Sequence, residues 1–187
     1  MPNLSDPQAK YPPPGISAIG VSTLPPSDKL SKVASECIHG YQQIMTGKHF
    51  VGLVSQFFHF LVEELDFICF SETVREGLYY EVQYKNRDRI VSVSYENVED
   101  YLQTIVFALE SGRLPDYDDK TKTLHLNALS ALVFPLLTGK EIYENNIRFN
   151  QFVATSDMER RLLKSAKELR LCLYHSDVVR SASGLHD

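Results

Sequence analysis

The sequence predicts an α+β domain: an antiparallel meander of two or three strands packed against several helices, behind a flexible proline-rich N-terminal tail. Three observations predict it. Apolar residues recur with helical period in "HFVGLVSQFFHFLVEELDF". The period then changes to two in "GLYYEVQYKNRDRIVSVSYEN". Seven of the nine prolines fall within residues 1–26, where they prevent a sustained helix or a central strand. With 187 residues, 43% of them apolar, the chain is long enough for one well-buried core and short for two. The expected organisation is a tail over residues 1–27 and a single α+β domain over 28–187.

The elements follow in order. Ser27 or Asp28 can cap a helix whose apolar positions Leu30, Val33, Ala34, Cys37, Ile38 and Tyr41 share a face as far as about Met45. After Gly47 a second helix carries Phe50, Leu53, Val54, Phe57, Phe58, Leu61 and Leu65, closed by Glu63, Glu64 and Asp66. Next, Leu78, Tyr80, Val82 and Tyr84 alternate with Tyr79, Glu81, Gln83 and Lys85. A polar turn at Asn86 to Asp88 leads into a second alternating run at Ile90 to Tyr95, which makes a β-hairpin. The stretch "NVEDYLQTIVFALESG" fits either a helix or a strand, and its β-forming residues Thr104, Ile105, Val106 and Phe107 favour a third strand near 101–109. "KTLHLNALSALVF" reads as a short helix stopped at Pro135, with Asp118 or Asp119 as its cap. "GKEIYENNIRFNQFVAT" reads as a polar connection. The last helix opens on a capping box of Ser156 and Glu159 and buries Met158, Leu162, Ala166, Leu169 and Leu173.

The net charge of −5 is unevenly spread. Residues 63–119 hold 14 acidic side chains against 5 basic ones, whereas 1–62 hold 3 against 4 and 120–187 hold 7 against 10. A negative middle segment attracts a basic partner and repels nucleic acid. No run approaches the length of a membrane span, and the first 20 residues lack an apolar signal core, so a soluble cytoplasmic protein is expected. Cys37, Cys69 and Cys172 lie far apart without C-x-x-C spacing, which fits a reducing compartment and gives no metal site. No cofactor is expected, because the chain has no G-x-G-x-x-G and no phosphate loop. G-x-S-x-G and H-E-x-x-H are also missing.

Two sets of candidate site residues remain. "LPDYDDKTKT" places Asp116, Tyr117, Asp118 and Asp119 together but lacks the glycine and the twelfth-position glutamate of a calcium loop. With Glu96, Glu99 and Asp100 they form a candidate acidic docking surface. Alternatively His125, in "TLHLNAL", acts as an acid or base with Asp118 or Asp119. His59 in "FFHFL" reads as a half-buried imidazole, and the basic residues Arg160, Arg161, Lys164, Lys167 and Arg170 as the wet face of the last helix.

"FFHFLVEELDF" followed by the alternating hairpin resembles the layout of small bacterial immunity-type proteins of toxin and immunity systems, over about residues 50–109. The resemblance implies a cytoplasmic protein that neutralises a cognate effector by covering its active site and has no chemistry of its own. It departs from the pattern in its proline-rich tail and basic terminal helix. Three functions stay open at this point: a protein-binding module with a basic partner, an enzyme using His125, and a self-associating protein whose aromatics over residues 50–84 pair between copies.

Overall fold

The computed structural model describes residues 45–175. The expected tail, the helix expected over 28–45 and Cys37 therefore lie outside the described residues, apart from Met45 itself. Two helices come first, α1 (Gly47–Phe57) and α2 (Phe60–Leu65), then four strands, β1 (Ile68–Arg75), β2 (Tyr79–Lys85), β3 (Arg89–Glu96) and β4 (Tyr101–Ala108). A long loop leads to β5 (Thr123–His125), which runs directly into α3 (Leu126–Val133) and a 3-10 turn at Phe134–Leu136. Helices α4 (Gly139–Phe149) and α5 (Asp157–Tyr174) complete the described chain. The class is α+β, and the meander has five antiparallel strands in the order β1-β2-β3-β4-β5 instead of two or three.

The hairpin is where the alternation predicts it, and β4 is the expected third strand. Asn86 Oδ1 accepts from the backbone N–H groups of Asp88 and Arg89 at 3.0 and 2.9 Å, which closes the β2–β3 turn. Gly77 closes the β1–β2 turn at φ 73°, a conformation open to glycine without steric cost. The two additional strands escape the period-two pattern for different reasons. The edge strand β1 buries no complete face and is interrupted by a bulge between Cys69 and Ser71, so its apolar residues do not alternate. β5 has three residues and pairs only with Ile105 to Phe107.

Three further expectations are corrected. The helix expected after Gly47 breaks at Phe58 and His59, where the Leu61 N–H turns back to the Phe58 carbonyl at 2.9 Å. The break brings Phe60 and Leu61 into the core beside Phe57 and Phe58, and leaves His59 exposed, 3.3 Å from Glu63. α3 starts at Leu126, with His125 as its N-cap residue, so neither Asp118 nor Asp119 caps it. The expected connection over 139–149 is helix α4, capped by the reciprocal bonds of Thr138 and Glu141.

Tyr80, Val82, Tyr84, Val91, Val93, Tyr95, Val106 and Leu124 all point from one face of the sheet into the core. α1, α2, α3 and α5 cover that face, and α5 contributes the whole stripe expected of it plus Cys172. The Tyr80 hydroxyl keeps its buried end satisfied by donating to the Met45 carbonyl at 2.9 Å. Packing all these layers on one side leaves the other face of the sheet uncovered by any described helix.

Candidate functional site: the second face of the sheet

Strand register fixes which side chains share the uncovered face. Tyr79, Glu96 and Tyr101 lie in one row across β2, β3 and β4, and Glu81, Ser94 and Gln103 in the next. A third row holds Gln83, Ser92, Ile105 and His125. Because side chains alternate along a strand, this polar face follows from the same pattern that buries Tyr80, Val82 and Tyr84 on the other side.

The loop over residues 109–122 folds back across this face, and its acidic residues do part of the folding. Asp119 Oδ1 accepts from the Thr121 N–H at 3.0 Å and from the Thr121 hydroxyl at 2.5 Å, and Oδ2 lies 3.6 Å from Lys122. Those Thr121 hydrogen bonds, and then the Lys122 charge, hold its carboxyl below the usual aspartate range. Asp116 Oδ1 accepts from the Asp118 N–H at 3.2 Å, and the Asp116 carbonyl accepts from the Thr123 hydroxyl at 3.0 Å. Lys122 also reaches Glu110 at 2.5 Å. The Asp119 carboxylate thus braces the loop from within and the Asp116 carbonyl ties it to Thr123 of β5, while the exposed Asp118 carboxylate makes no ion pair among the described residues.

Leu114, Pro115 and Tyr117 of this loop wall one side of a cavity of about 340 Å³ whose floor is the sheet, including Tyr79, Glu81, Gln83, Ser92 and Gln103. Glu81 Oε1 accepts from the Ser92 hydroxyl at 2.6 Å and from Gln83 Nε2 at 3.0 Å. Burial pushes the Tyr79 phenol above its ordinary value and the negative charge of Glu81 adds to the effect, against opposing contributions from Ser94 and Arg75. Gln103 Nε2 lies 3.1 Å from His125 Nδ1, 3.4 Å from the Tyr117 hydroxyl and 3.5 Å from that of Tyr101. The Tyr117 ring meets the imidazole edge-on, with centroids 6.1 Å apart.

The expected site residues therefore separate into three groups. Glu96, Glu99, Asp118 and Tyr117 are exposed on or beside the uncovered face, with no ion pair among the described residues. Asp116 and Asp119 stand at its rim as loop staples. Asp100 serves the fold instead: in a left-handed turn at φ 49°, it accepts from Arg161 at 2.7 Å and from the Tyr95 hydroxyl at 3.0 Å. Arg161, and after it Tyr95, lower the Asp100 pKa. His125 takes an amide and not a carboxylate as its partner. The Gln103 side chain lies 3.1 Å from Nδ1, and neither Asp118 nor Asp119 orients the ring.

Sequence reasoning missed Tyr79, Glu81, Gln83, Gln103 and Tyr101. The signal for Tyr79, Glu81 and Gln83 is the polar half of the hairpin alternation, whereas Tyr101 and Gln103 lie in the stretch that fits helix and strand alike. Four of the five basic residues of α5 are engaged within the chain, Arg160 with Asp157, Arg161 with Asp100, Lys164 with Glu168 and Arg170 with Glu64, and Lys167 makes no ion pair among the described residues. Of the aromatics over residues 50–84, Phe50, Phe57, Phe58, Phe60, Phe67, Tyr80 and Tyr84 are buried in the chain's own core, so only Phe70 and the half-buried Tyr79 remain for contact with another copy. Among the described residues no His, Cys, Asp and Glu cluster suits a metal ion, and no helix is long and apolar enough to cross a membrane. Comparison with family models, curated proteins and solved structures gives no match to this chain.

Proposed function

We propose that this chain is a cytoplasmic protein-binding module that engages a basic protein through the uncovered sheet face, in the manner of an immunity protein covering an effector. The observation that carries the proposal is the combination of exposed tyrosines and uncompensated carboxylates on one surface. Tyr101 and Tyr117 are 51% and 55% exposed; Glu96 is opposite Tyr101 in the strand register, Asp118 follows Tyr117, Glu99 is exposed in the β3–β4 turn, and none of the three carboxylates has an ion pair among the described residues. Tyrosines bury large area at low entropic cost and are enriched among residues that dominate binding energy. Rim carboxylates accelerate encounter with a positively charged surface.

The test is the triple variant Glu96→Gln/Glu99→Gln/Asp118→Asn, measured against the protein that co-purifies with the wild-type chain. Its association rate is expected to fall about tenfold at low salt, with a flatter salt dependence and little change in dissociation rate. An association rate and salt slope equal to wild type would remove the electrostatic role of this rim.

A further inference from the structure

The cavity on the uncovered face carries a carboxylate that has no ion pair among the described residues. The Glu81 carboxylate is half-buried on the cavity floor. Its neighbours are neutral: the Ser92 hydroxyl, the Gln83 amide and the Tyr79 phenol. Among the described residues no lysine, arginine or histidine lines the cavity. The basic side chains on the same side of the sheet lie elsewhere. Arg75 is opposite Tyr79 on β1 and exposed outside the lining, and Lys85 sits 5.0 Å over the Phe70 ring. His125 is occupied by Gln103 on the Tyr117 side.

Elsewhere in the core region the chain pairs its part-buried carboxylates. Glu64 has Arg170 and Arg148, and Glu159 accepts two backbone N–H groups and a hydroxyl at the start of α5. A half-buried carboxylate without a cation loses hydration and gains no charge partner in return. Glu81 is therefore suited to a cation brought from outside. Gln103, also in the lining, offers a second acceptor. The amide nitrogen of Gln103 is directed to His125 and Tyr117, and its carbonyl oxygen has no donor among the described residues.

The walls specify the kind of cation. Tyr79 on the floor and Tyr117 on the loop side supply aromatic surface, and Phe107 and Leu114 extend the apolar lining. About 340 Å³ is at the small end of ligand cavities and suits one long side chain. A guanidinium is planar, weakly hydrated, stacks on aromatic rings and donates in a fork to a carboxylate, whereas an ammonium is a compact and strongly hydrated point charge. We infer that this cavity receives one arginine side chain of the basic partner, with Glu81 as its counter-ion, Gln103 as a second acceptor and Tyr79 and Tyr117 as its aromatic lining. The inference rests on the docking role given to this face and names the group that anchors there.

The experiment titrates N-acetyl-argininamide into the full-length ¹⁵N-labelled chain and follows backbone amide shifts. N-acetyl-citrullinamide has nearly the same shape without the charge, and N-acetyl-lysinamide has the charge without the plane. The expected result is saturable shifts at Ser92, Ser94, Gln103 and Tyr117 with Kd on the order of a millimolar for the arginine probe, as a ligand of that size allows. The citrulline probe should give none, the lysine probe should bind several-fold more weakly, and Glu81→Gln should weaken arginine binding at least tenfold. If Glu81→Gln disturbs the sheet, Tyr117→Ala in the exposed loop supplies the second variant and should weaken it several-fold. Non-saturating shifts, equal response to citrulline or lysine, or undiminished binding in a folded Glu81→Gln or Tyr117→Ala protein would overturn the assignment. The two proposals fail separately. No arginine binding together with a rim variant that still slows partner association rejects the cavity and keeps the docking face. Arginine binding together with an unaffected rim variant does the reverse.

Discussion

Glu64→Ala is expected to destabilise the protein by about 2–3 kcal/mol, seen as a lower urea midpoint at unchanged slope. Glu64, at the end of α2, is the centre of a cluster that ties α2 to α4 and α5. Arg170 Nε and Nη2 donate to its Oε2 at 2.9 and 2.7 Å, the Tyr174 hydroxyl donates to the same oxygen, and Arg148 closes onto Oε1. Arg170 in turn donates to Asn145 at 3.0 Å and stacks over the Tyr174 ring at 4.5 Å. Removing one member of a buried pair costs about 3–5 kcal/mol because the partner charge is stranded. The figure is reduced here because Arg148 is 42% exposed and water screens part of its charge.

The same cluster fixes the sign of a pH effect. Burial alone would raise the Glu64 pKa, but hydrogen bonds from Arg170 and Tyr174, with the charges of Arg170 and Arg148, outweigh burial and lower it. A group whose pKa is lower folded than unfolded contributes stability above its unfolded pKa and loses it as pH falls through the folded value. The stability difference between wild type and Glu64→Ala should therefore be fully present at neutral pH and shrink below about pH 4. A difference that stays constant down to pH 3 would show that Glu64 acts by packing and not by charge.

Tyr101→Ala combined with Tyr117→Ala is expected to raise the dissociation rate of the basic partner enough to weaken binding by about 2–4 kcal/mol, with the fold intact. Both side chains are more than half exposed, and neither belongs to the core cluster. The circular dichroism and thermal transition should remain those of the wild type. An equal loss of partner affinity and of thermal stability would mean that the pair supports the sheet instead of contacting a partner. The expected change in dissociation rate contrasts with the change in association rate expected of the rim carboxylates, so the two variants separate anchoring from steering.

What could be read from the sequence, and what could not, follows from how local each signal is. The β2–β3 hairpin is written in adjacent residues, because a strand with one buried face must alternate. α5 is likewise local: Ser156 and Glu159 bond each other's backbone, and the stripe from Met158 to Leu173 repeats at the helical period. β1 and β5 were invisible because an edge strand with a bulge and a three-residue strand bury too little to impose a pattern. α4 buries only Asn145 and Phe149, so its apolar period is faint, although the Thr138 to Glu141 box at its start was present in the sequence. At the site, adjacency in sequence gathered Asp116 to Asp119 but could not separate staples from free carboxylates. That distinction depends on partners such as Lys122 for Asp119 and, 61 positions away, Arg161 for Asp100. Glu81 shows the converse: it is an unremarked residue on the polar side of a strand until the loop folds over it.

A second exposed surface competes with the sheet face as a docking site. Leu132, Phe134 and Leu136 near the 3-10 turn and Tyr143 and Ile147 on α4 are 40–66% exposed, and the carboxylates beside them, Glu141 and Glu144, are paired with His175 and Lys140. Hydrogen exchange of the isolated chain and of its complex with the proposed basic partner compares the two surfaces in one measurement. A partner on the uncovered sheet face predicts slowed exchange over β4 and the 109–122 loop, with residues 132–147 unchanged. Protection confined to 132–147, with β4 and the loop exchanging as in the free chain, would contradict the account.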